Sequence, residues 1–121
     1  MQEQRRFVRL NARLKIIYRV LDHGEPIQAT TSTLSGSGLS FFAKAALPIG
    51  ARLQMEISLP EHERPTPLTA QVTGNQQSSM VSAGPRERSV EIGVRFVEIA
   101  PVDQETIMGY VESWLQPPST T

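Results

Sequence analysis

Two short segments of this chain carry residues suited to binding an anion. Residues 5–9 read Arg-Arg-Phe-Val-Arg, and residues 33–38 read Thr-Leu-Ser-Gly-Ser-Gly. Arginine presents a planar fork that can hold a phosphate, or the O6/N7 edge of guanine, through two parallel hydrogen bonds. The serines offer hydroxyls, and the glycines let backbone N–H groups come close to an anion. We expect the two segments to form one site for a ligand that carries phosphate or carboxylate.

The distribution of charge also indicates a local anion site. The first twenty residues contain a single acid, Glu3, while the net formal charge of the whole chain is zero. Half of the chain's 12 basic side chains lie in these twenty residues: Arg5, Arg6, Arg9, Arg13, Lys15 and Arg19. This pattern does not fit a broad basic surface for duplex nucleic acid, and it does not fit a membrane surface.

Length and composition predict one compact soluble domain. A chain of 121 residues is within the usual size of a single domain. No apolar run approaches the roughly 20 residues that span a bilayer, so we expect no membrane insertion. The charged N-terminus has no apolar segment of a secretory signal, and a cytoplasmic location is the default expectation. Cysteine is absent, which excludes disulfides, thiolate metal sites and cysteine nucleophiles.

Most of the chain alternates between apolar and polar residues with a period of two, which predicts half-buried strands. In the clearest example, Leu53, Met55 and Ile57 alternate with polar residues, and we expect Met55 to lie in the core. Six strands are predicted, at residues 14–20, 27–31, 39–43, 52–59, 68–73 and 90–97. The longest polar segment, residues 75–88, is predicted to be a hairpin loop.

The C-terminal part changes to a helical period. One apolar stripe is formed by Ile107, Tyr110, Val111, Trp114 and Leu115, and we expect Trp114 to lie in the core. Two consecutive prolines at 117 and 118 end the predicted helix, which covers about residues 101–116. Six short strands and one terminal helix predict an all-β fold with one C-terminal helix. Its architecture is a small six-stranded antiparallel β-barrel of the split-barrel type.

The sequence shows no catalytic machinery, and we expect a protein that is not an enzyme. The two histidines, His23 and His62, lie in predicted loops without partners at ligand spacing, so we expect no metal site. The Gly36-Ser37-Gly38 run fits neither the dinucleotide-binding nor the P-loop pattern of glycines, and no nucleophile elbow is present. No cofactor is expected. The remaining function is ligand binding by the two polar segments.

These two segments resemble the signature of the PilZ domain, a small bacterial β-barrel that binds the second messenger cyclic di-GMP. The family pattern is Arg-x-x-x-Arg followed by (Asp/Asn)-x-Ser-x-x-Gly. Here Arg5-x-x-x-Arg9 and Thr33-x-Ser35-x-x-Gly38 occupy the two parts. Arg9-x-x-x-Arg13 fits the first part as well, but the doubled arginine and the following aromatic residue favour the earlier pair. Residues 38–41, the strand at 93–96 and the terminal helix are also similar to the family, so the resemblance covers nearly the whole chain.

The resemblance implies a role for each motif residue in binding cyclic di-GMP. Arg5 and Arg9 would contact the phosphates and guanines, with Arg6 as an auxiliary contact. Ser35 would supply a hydroxyl or amide contact, and Gly38 would permit a tight turn against the ligand. Thr33 departs from the family's Asp or Asn and would make a weakened contact. The implied organisation is a flexible N-terminal arm at 1–11, a PilZ-like barrel with its helix at 12–116, and a tail at 117–121.

Three functional classes remain open at this point. The first is a cyclic di-GMP receptor that relays the ligand level to a downstream protein partner when its N-terminal arm closes on the barrel. The second is a degenerate PilZ domain that has lost the ligand and acts through protein contacts, in type IV pili or motility for example. The third, a barrel for single-stranded nucleic acid, ranks last because only 6% of the residues are aromatic.

Overall fold

The computed structural model describes residues 9–21, 24–78 and 89–115, which form seven strands and one helix. The strands are β1 (Leu10–Asn11), β2 (Lys15–Val20), β3 (Ile27–Leu34), β4 (Gly38–Ala43), β5 (Arg52–Ile57), β6 (Thr66–Ser78) and β7 (Ser89–Glu98). The helix α1 covers Pro101–Leu115. The predicted helix and each of the six predicted strands have a counterpart here, with shifted ends.

The strands form one antiparallel sheet that closes on itself. Their order is β1-β3-β2-β5-β6-β7-β4, and β4 pairs with β3 as well as with β7. The six longer strands therefore make a closed barrel, which confirms the predicted architecture. Closure covers the edges that an open sheet would expose. β1 and β2 pair with successive parts of β3, so residues 10–20 behave as one barrel strand with an interruption.

A buried threonine bridges this interruption. The hydroxyl of Thr31 accepts a hydrogen bond from the N–H of Leu14 at 2.8 Å and donates one to the carbonyl of Ala12. The N–H of Thr31 also donates to the carbonyl of Leu14 at 2.9 Å. Because these bonds satisfy the buried hydroxyl, burial of Thr31 carries no unpaired polar group. The bridge holds residues 10–14 against β3 and fixes the point at which Arg9 leaves the barrel.

Inward-facing side chains from the strands fill the barrel. On β5, Leu53, Met55 and Ile57 are fully buried, so the expectation that Met55 lies in the core is confirmed. Tyr18 packs against Phe41 with ring centroids 4.8 Å apart. Burial raises the pKa of the Tyr18 hydroxyl above its ordinary value, because the charged phenolate would be poorly solvated there.

Helix α1 packs on the barrel through Ile107 and Val111, which are both buried. The prediction that Trp114 lies in the core is wrong, since its side chain is 64% exposed. Its ring packs edge-on against the partly buried Tyr110, with centroids 6.4 Å apart, and so the apolar stripe continues onto the surface. Among the described helical residues, none forms a segment with the length and apolarity needed to cross a bilayer.

The polar end of β6 differs from its prediction. Residues 75–78 were predicted to belong to a loop, but they continue β6 and pair with residues 89–92 of β7. Backbone hydrogen bonds to β7 stabilise this extension, whose polar side chains carry no hydrophobic alternation. Residues 79–88 of the predicted loop lie outside the described residues. β3 likewise extends beyond its predicted end at residue 31 to Leu34.

Gly38, the first residue of β4, lies against the backbone of β7. A Cβ atom at this position would overlap the carbonyl oxygen of Val94 and lie 3.1 Å from the Cα of Arg95. Because both neighbours are backbone atoms, β7 itself would have to move. We expect Gly38→Ala to lower the free energy of unfolding by about 2 to 3 kcal/mol, measured by urea denaturation.

Gly109 provides the matched control for this substitution. It is exposed on α1, and a Cβ there would meet nothing within 4 Å. Gly109→Ala should raise the free energy of unfolding by up to about 1 kcal/mol, because alanine is the better helix former. Equal stability of the Gly38→Ala protein and the unchanged protein would contradict the close approach of the two strands.

Candidate functional site

A β-bulge in β3 turns two hydroxyl side chains to the same side of the sheet. Thr31 pairs with Phe41, whereas Thr33 pairs with Ser40, so Ser32 is an extra residue in β3. Thr31 and Leu34 are both buried, while Ser32 and Thr33 between them are half-buried. Bulges commonly re-aim side chains in this way next to binding sites. The bulge therefore brings both hydroxyls next to Ser40 on the outer face of the barrel.

Four neighbouring strands contribute one row of residues to this face. In the order β3, β4, β7 and β6, Thr33 is paired with Ser40, Ser40 with Gly93, and Gly93 with Gly74. Residues paired across antiparallel strands project to the same face of a sheet. The row thus consists of two hydroxyls followed by two positions without side chains. Glu91 and Gln76 form the next paired positions along β7 and β6.

A chain of hydrogen bonds runs across the row from a cation to an anion. Arg9 Nη1 donates to Thr33 Oγ1 at 2.9 Å, and Thr33 Oγ1 lies 2.7 Å from Ser40 Oγ. Ser40 Oγ lies 2.8 Å from Ser32 Oγ, which donates to Glu91 Oε2 at 2.6 Å. A guanidinium can only donate and an ionised carboxylate can only accept, so Arg9 donates at one end of the chain and Ser32 donates at the other. In the Thr33–Ser40 pair either hydroxyl can donate, and the single proton of Ser40 can go to Thr33, to Ser32 or to Glu91 Oε2. The chain fixes both charged groups relative to the barrel.

A cavity of about 370 Å³ opens beside this chain. The described residues that line it are Arg9, Thr33, Ser40, Gly74, Asn75, Gln76, Glu91 and Gly93. Among these described residues, Arg9 is the cation and Glu91 is the anion, and the others have uncharged polar side chains or none. The cavity can therefore hold a ligand that presents an acceptor group or a negative charge on one side and hydrogen-bond donors on the other.

The structure brings together two of the residues that the sequence predicted for the site. Arg9 from the arginine motif contacts Thr33 from the second motif, and both line the cavity. Arg5 and Arg6 lie outside the described residues, so their roles stay predictions. Among the described residues, no group of three or more His, Asp and Glu side chains is arranged to hold a metal ion.

Ser35 lies in the turn that joins β3 to β4, Gly38 begins β4, and neither residue is in the described lining of this cavity. Ser35 is buried, and its Oγ accepts hydrogen bonds from the N–H groups of Ser37 and Gly38, each at 3.2 Å. Gln104 of α1 donates to the carbonyl of Gly36 at 2.9 Å and ties the turn to the helix. The turn that follows β3 is thus held by its own hydrogen bonds and by the helix. A direct contact of Ser35 or Gly38 with a ligand stays a prediction.

Sequence analysis missed the contribution of β4, β6 and β7 to the site. Ser40 stands between two apolar residues, Leu39 and Phe41, and Glu91 and Gly93 alternate with the apolar side chains of β7. This alternation predicts that they lie on an outer face. Which strands are neighbours depends on the order of the sheet, and alternation carries no information about that order.

Comparison with protein-family models gives a match to the PilZ domain over residues 3–113. This chain belongs to the PilZ domain family. The recognised resemblance is thereby confirmed. A comparison with curated protein sequences found no match.

Several solved structures share the fold of this PilZ domain. The PilZ domain of YcgR from Escherichia coli, solved with cyclic di-GMP, has a TM-score of 0.70 and 19% identity, over 91% of this chain and 90% of its own. The Bacillus subtilis inhibitor of motility MotI/DgrA has a TM-score of 0.73 and 21% identity over 89% of this chain. The MrkH–cyclic di-GMP complex from K. pneumonia has a TM-score of 0.73 and 18% identity over 91% of this chain. This chain covers 49% of MotI/DgrA and 51% of MrkH, about half of each.

Thr33 offers a direct test of the hydrogen-bond chain. Valine has nearly the same shape as threonine but cannot accept from Arg9 or donate to Ser40. We expect Thr33→Val to lower the free energy of unfolding by about 1 kcal/mol, measured by urea denaturation. Thr30→Val, at an exposed position of the same strand, should change it by less than about 0.5 kcal/mol. If the two variants were equally stable, the chain from Arg9 would not contribute to the fold.

Proposed function

We propose that this PilZ domain is a receptor for cyclic di-GMP that binds the ligand without changing it. The observation that carries the proposal is the contact between Arg9 and Thr33, which joins the two motif segments at the rim of one cavity. The PilZ domain of YcgR and the MrkH protein, which share this fold, are solved with cyclic di-GMP. A cytoplasmic location is part of the proposal.

In the proposed complex, the arginines hold the phosphates of the ligand. Arg9 is exposed and has further N–H groups beyond the one that it donates to Thr33, so it can grip a phosphate without leaving its anchor. Arg5, placed one motif spacing earlier, makes the second contact to phosphate and guanine, and Arg6 is an auxiliary cation. Hydrogen bonds between guanidinium and phosphate are charge-assisted and therefore stronger than bonds between neutral groups.

Signalling in this proposal depends on the N-terminal arm. Ligand phosphates between the arginines and the barrel attract residues 1–8 toward the cavity, so the arm closes over the bound ligand. Closure changes the surface around β1 and the β3–β4 turn, which a downstream protein partner can recognise. The anchor of Arg9 on Thr33 supports this part, because the arm enters the site at a fixed point.

A second candidate function follows from Thr33. The family pattern has Asp or Asn here, and the loss of one hydrogen bond to a charged or strongly polar acceptor weakens binding by about 1 to 3 kcal/mol. A domain that has lost the ligand altogether would act through protein contacts, in pili or motility for example. The first of the experiments below separates the two candidates.

Titration calorimetry with cyclic di-GMP tests the receptor proposal. We expect binding that weakens by at least about ten-fold in Arg9→Ala and in Arg5→Ala, because each loses a charge-assisted contact. Arg19→Ala, on the exposed side of β2 and outside the cavity, should bind as the unchanged protein does. Arg13→Ala separates the two possible arginine patterns and should also leave binding unchanged. Absence of binding at submillimolar ligand would favour the second candidate.

Hydrogen exchange tests the closure of the arm. Backbone amides of residues 1–8, the part of the predicted arm that precedes Arg9, should exchange more slowly when cyclic di-GMP is bound, because closure removes them from solvent. Leu10 and Asn11, at the end of the predicted arm, already pair with β3 as β1. Amides of β5, which pairs with residues 66–71 of β6 and contributes no residue to the described cavity lining, should show no comparable change and serve as an internal control. Equal exchange of the amides of residues 1–8 with and without cyclic di-GMP would contradict closure of the arm but would leave the receptor proposal standing.

A further inference from the structure

We propose that β6 and β7 recognise the guanine base, with Gly74 and Gly93 as its floor and Glu91 as the acceptor for its donor edge. This inference rests on the proposed function, since it takes the ligand to be a guanine nucleotide. It assigns a base-binding role to strands that lie outside both sequence motifs. Three observations on the outer face of the barrel carry it.

The first observation is an open pair of glycines. Gly74 and Gly93 are paired across β6 and β7, and both line the cavity. A Cβ at Gly74 would meet nothing within 4 Å, and one at Gly93 would only reach Thr73 Oγ1 at 3.6 Å, an ordinary contact. Neither packing nor a left-handed backbone therefore requires glycine at these positions. Glycine in a strand weakens it and often marks a bulge or a close approach by a ligand. Gly74 follows a register shift in β6, in which Thr73 is the extra residue, whereas Gly93 lies on the partner strand that has no extra residue there. The bare backbone here offers a floor on which a planar ring can lie.

The second observation is the orientation of the Glu91 carboxylate beside this floor. Glu91 lies two residues before Gly93 on β7, so both project to the same face. Within the described residues, its hydrogen bonds, from Ser32 at 2.6 Å and Ser40 at 3.2 Å, both end on Oε2. They hold the carboxylate at the cavity while Oε1 can accept further donors. Guanine presents two adjacent donors, N1–H and the 2-amino group, and the two lone pairs of Oε1 can accept from them.

The third observation is the separation of charge across the cavity. Arg9 lines it from β3's side and Glu91 from β7, and the hydroxyls of Thr33, Ser40 and Ser32 connect them. A carboxylate repels a phosphate, so the phosphate must lie toward Arg9 and the donor edge of the base toward Glu91. Adenine has an acceptor nitrogen where guanine has N1–H, and that acceptor would face the carboxylate unfavourably. The arrangement thus selects both an orientation and a base.

The test is a thermodynamic cycle that compares the affinities of two ligands for two proteins. Cyclic di-GMP and its inosine analogue, which lacks only the 2-amino groups, are titrated by calorimetry into the unchanged protein and into Glu91→Ala. The unchanged protein should bind cyclic di-GMP about ten-fold more tightly than the analogue, and this ratio should fall to about one in Glu91→Ala. Glu98→Ala, at an exposed position of the same strand, should keep the full ratio.

Gly74→Val tests whether the base lies on the paired glycines, and we expect it to leave the fold intact. Its side chain enters open space, so the thermal unfolding temperature should not fall, while binding of both ligands should weaken by at least about ten-fold. Gly109→Val, at a glycine of α1 where a Cβ would also enter open space, should bind both ligands normally.

Two results would overturn the inference while the receptor proposal stands. One is tight binding of cyclic di-GMP with the same ligand ratio in the unchanged protein and in Glu91→Ala. The other is undiminished binding by Gly74→Val. A protein that binds neither ligand would overturn the proposed function and, with it, this inference. The outcomes therefore distinguish failure of the base site from failure of the receptor.

Discussion

The pairing of β3 with β4 is the interaction on which the rest of the structure depends. It closes the sheet into a barrel and brings Leu34 and Leu39, which are fully buried, opposite each other. The same ladder contains the bulge that turns Ser32 and Thr33 outward together. Without this pairing, two long edges would be open and the hydroxyls would face different neighbours. One register thus determines both the packing of the core and the composition of the site on the outer face.

The hydroxyl chain between Arg9 and Glu91 positions both charged groups without joining them in a direct ion pair. In a direct pair, each charge would neutralise the other and occupy the groups that a ligand needs. Here three hydroxyls transmit the hydrogen bonding, and each bond polarises the next. Both charged groups are positioned, and both keep atoms that face the cavity. The cavity consequently has a positive side and a negative side although the net formal charge of the chain is zero.

Sequence reasoning predicted the fold well because period-two alternation directly reflects which side chains face the core. Leu53, Met55 and Ile57 show this, as do Ile107 and Val111 for the helix. It failed where backbone pairing alone stabilises an element, as in residues 75–78, whose side chains carry no apolar pattern. It failed again at Trp114, because a helical stripe indicates a face of the helix but not how far the barrel extends beneath it.

The site was predicted only as far as its residues lie within the two motifs. Arg9 and Thr33, which the structure brings together, could be named because arginine spacing and turn chemistry are local features of the sequence. Glu91 and the glycines of β6 and β7 reach the same cavity through strand order, in which β7 lies between β4 and β6. That order results from the closure of the whole sheet and cannot be derived from any single strand.

Thr33 and Glu91 are physically linked, because both are bonded to Ser40. An aspartate at position 33 would pair directly with Arg9 and would bring a second carboxylate to the same serine, where two like charges repel each other. Threonine avoids this repulsion, passes the hydrogen bond of Arg9 onward and leaves Glu91 as the acidic group of the described cavity lining. The departure from the family pattern in β3 is thus compatible with an anion supplied by β7. The carboxylate of the cavity is therefore supplied by β7 and not by β3. The width of the sheet between β3 and β7 sets the distance of this carboxylate from Arg9.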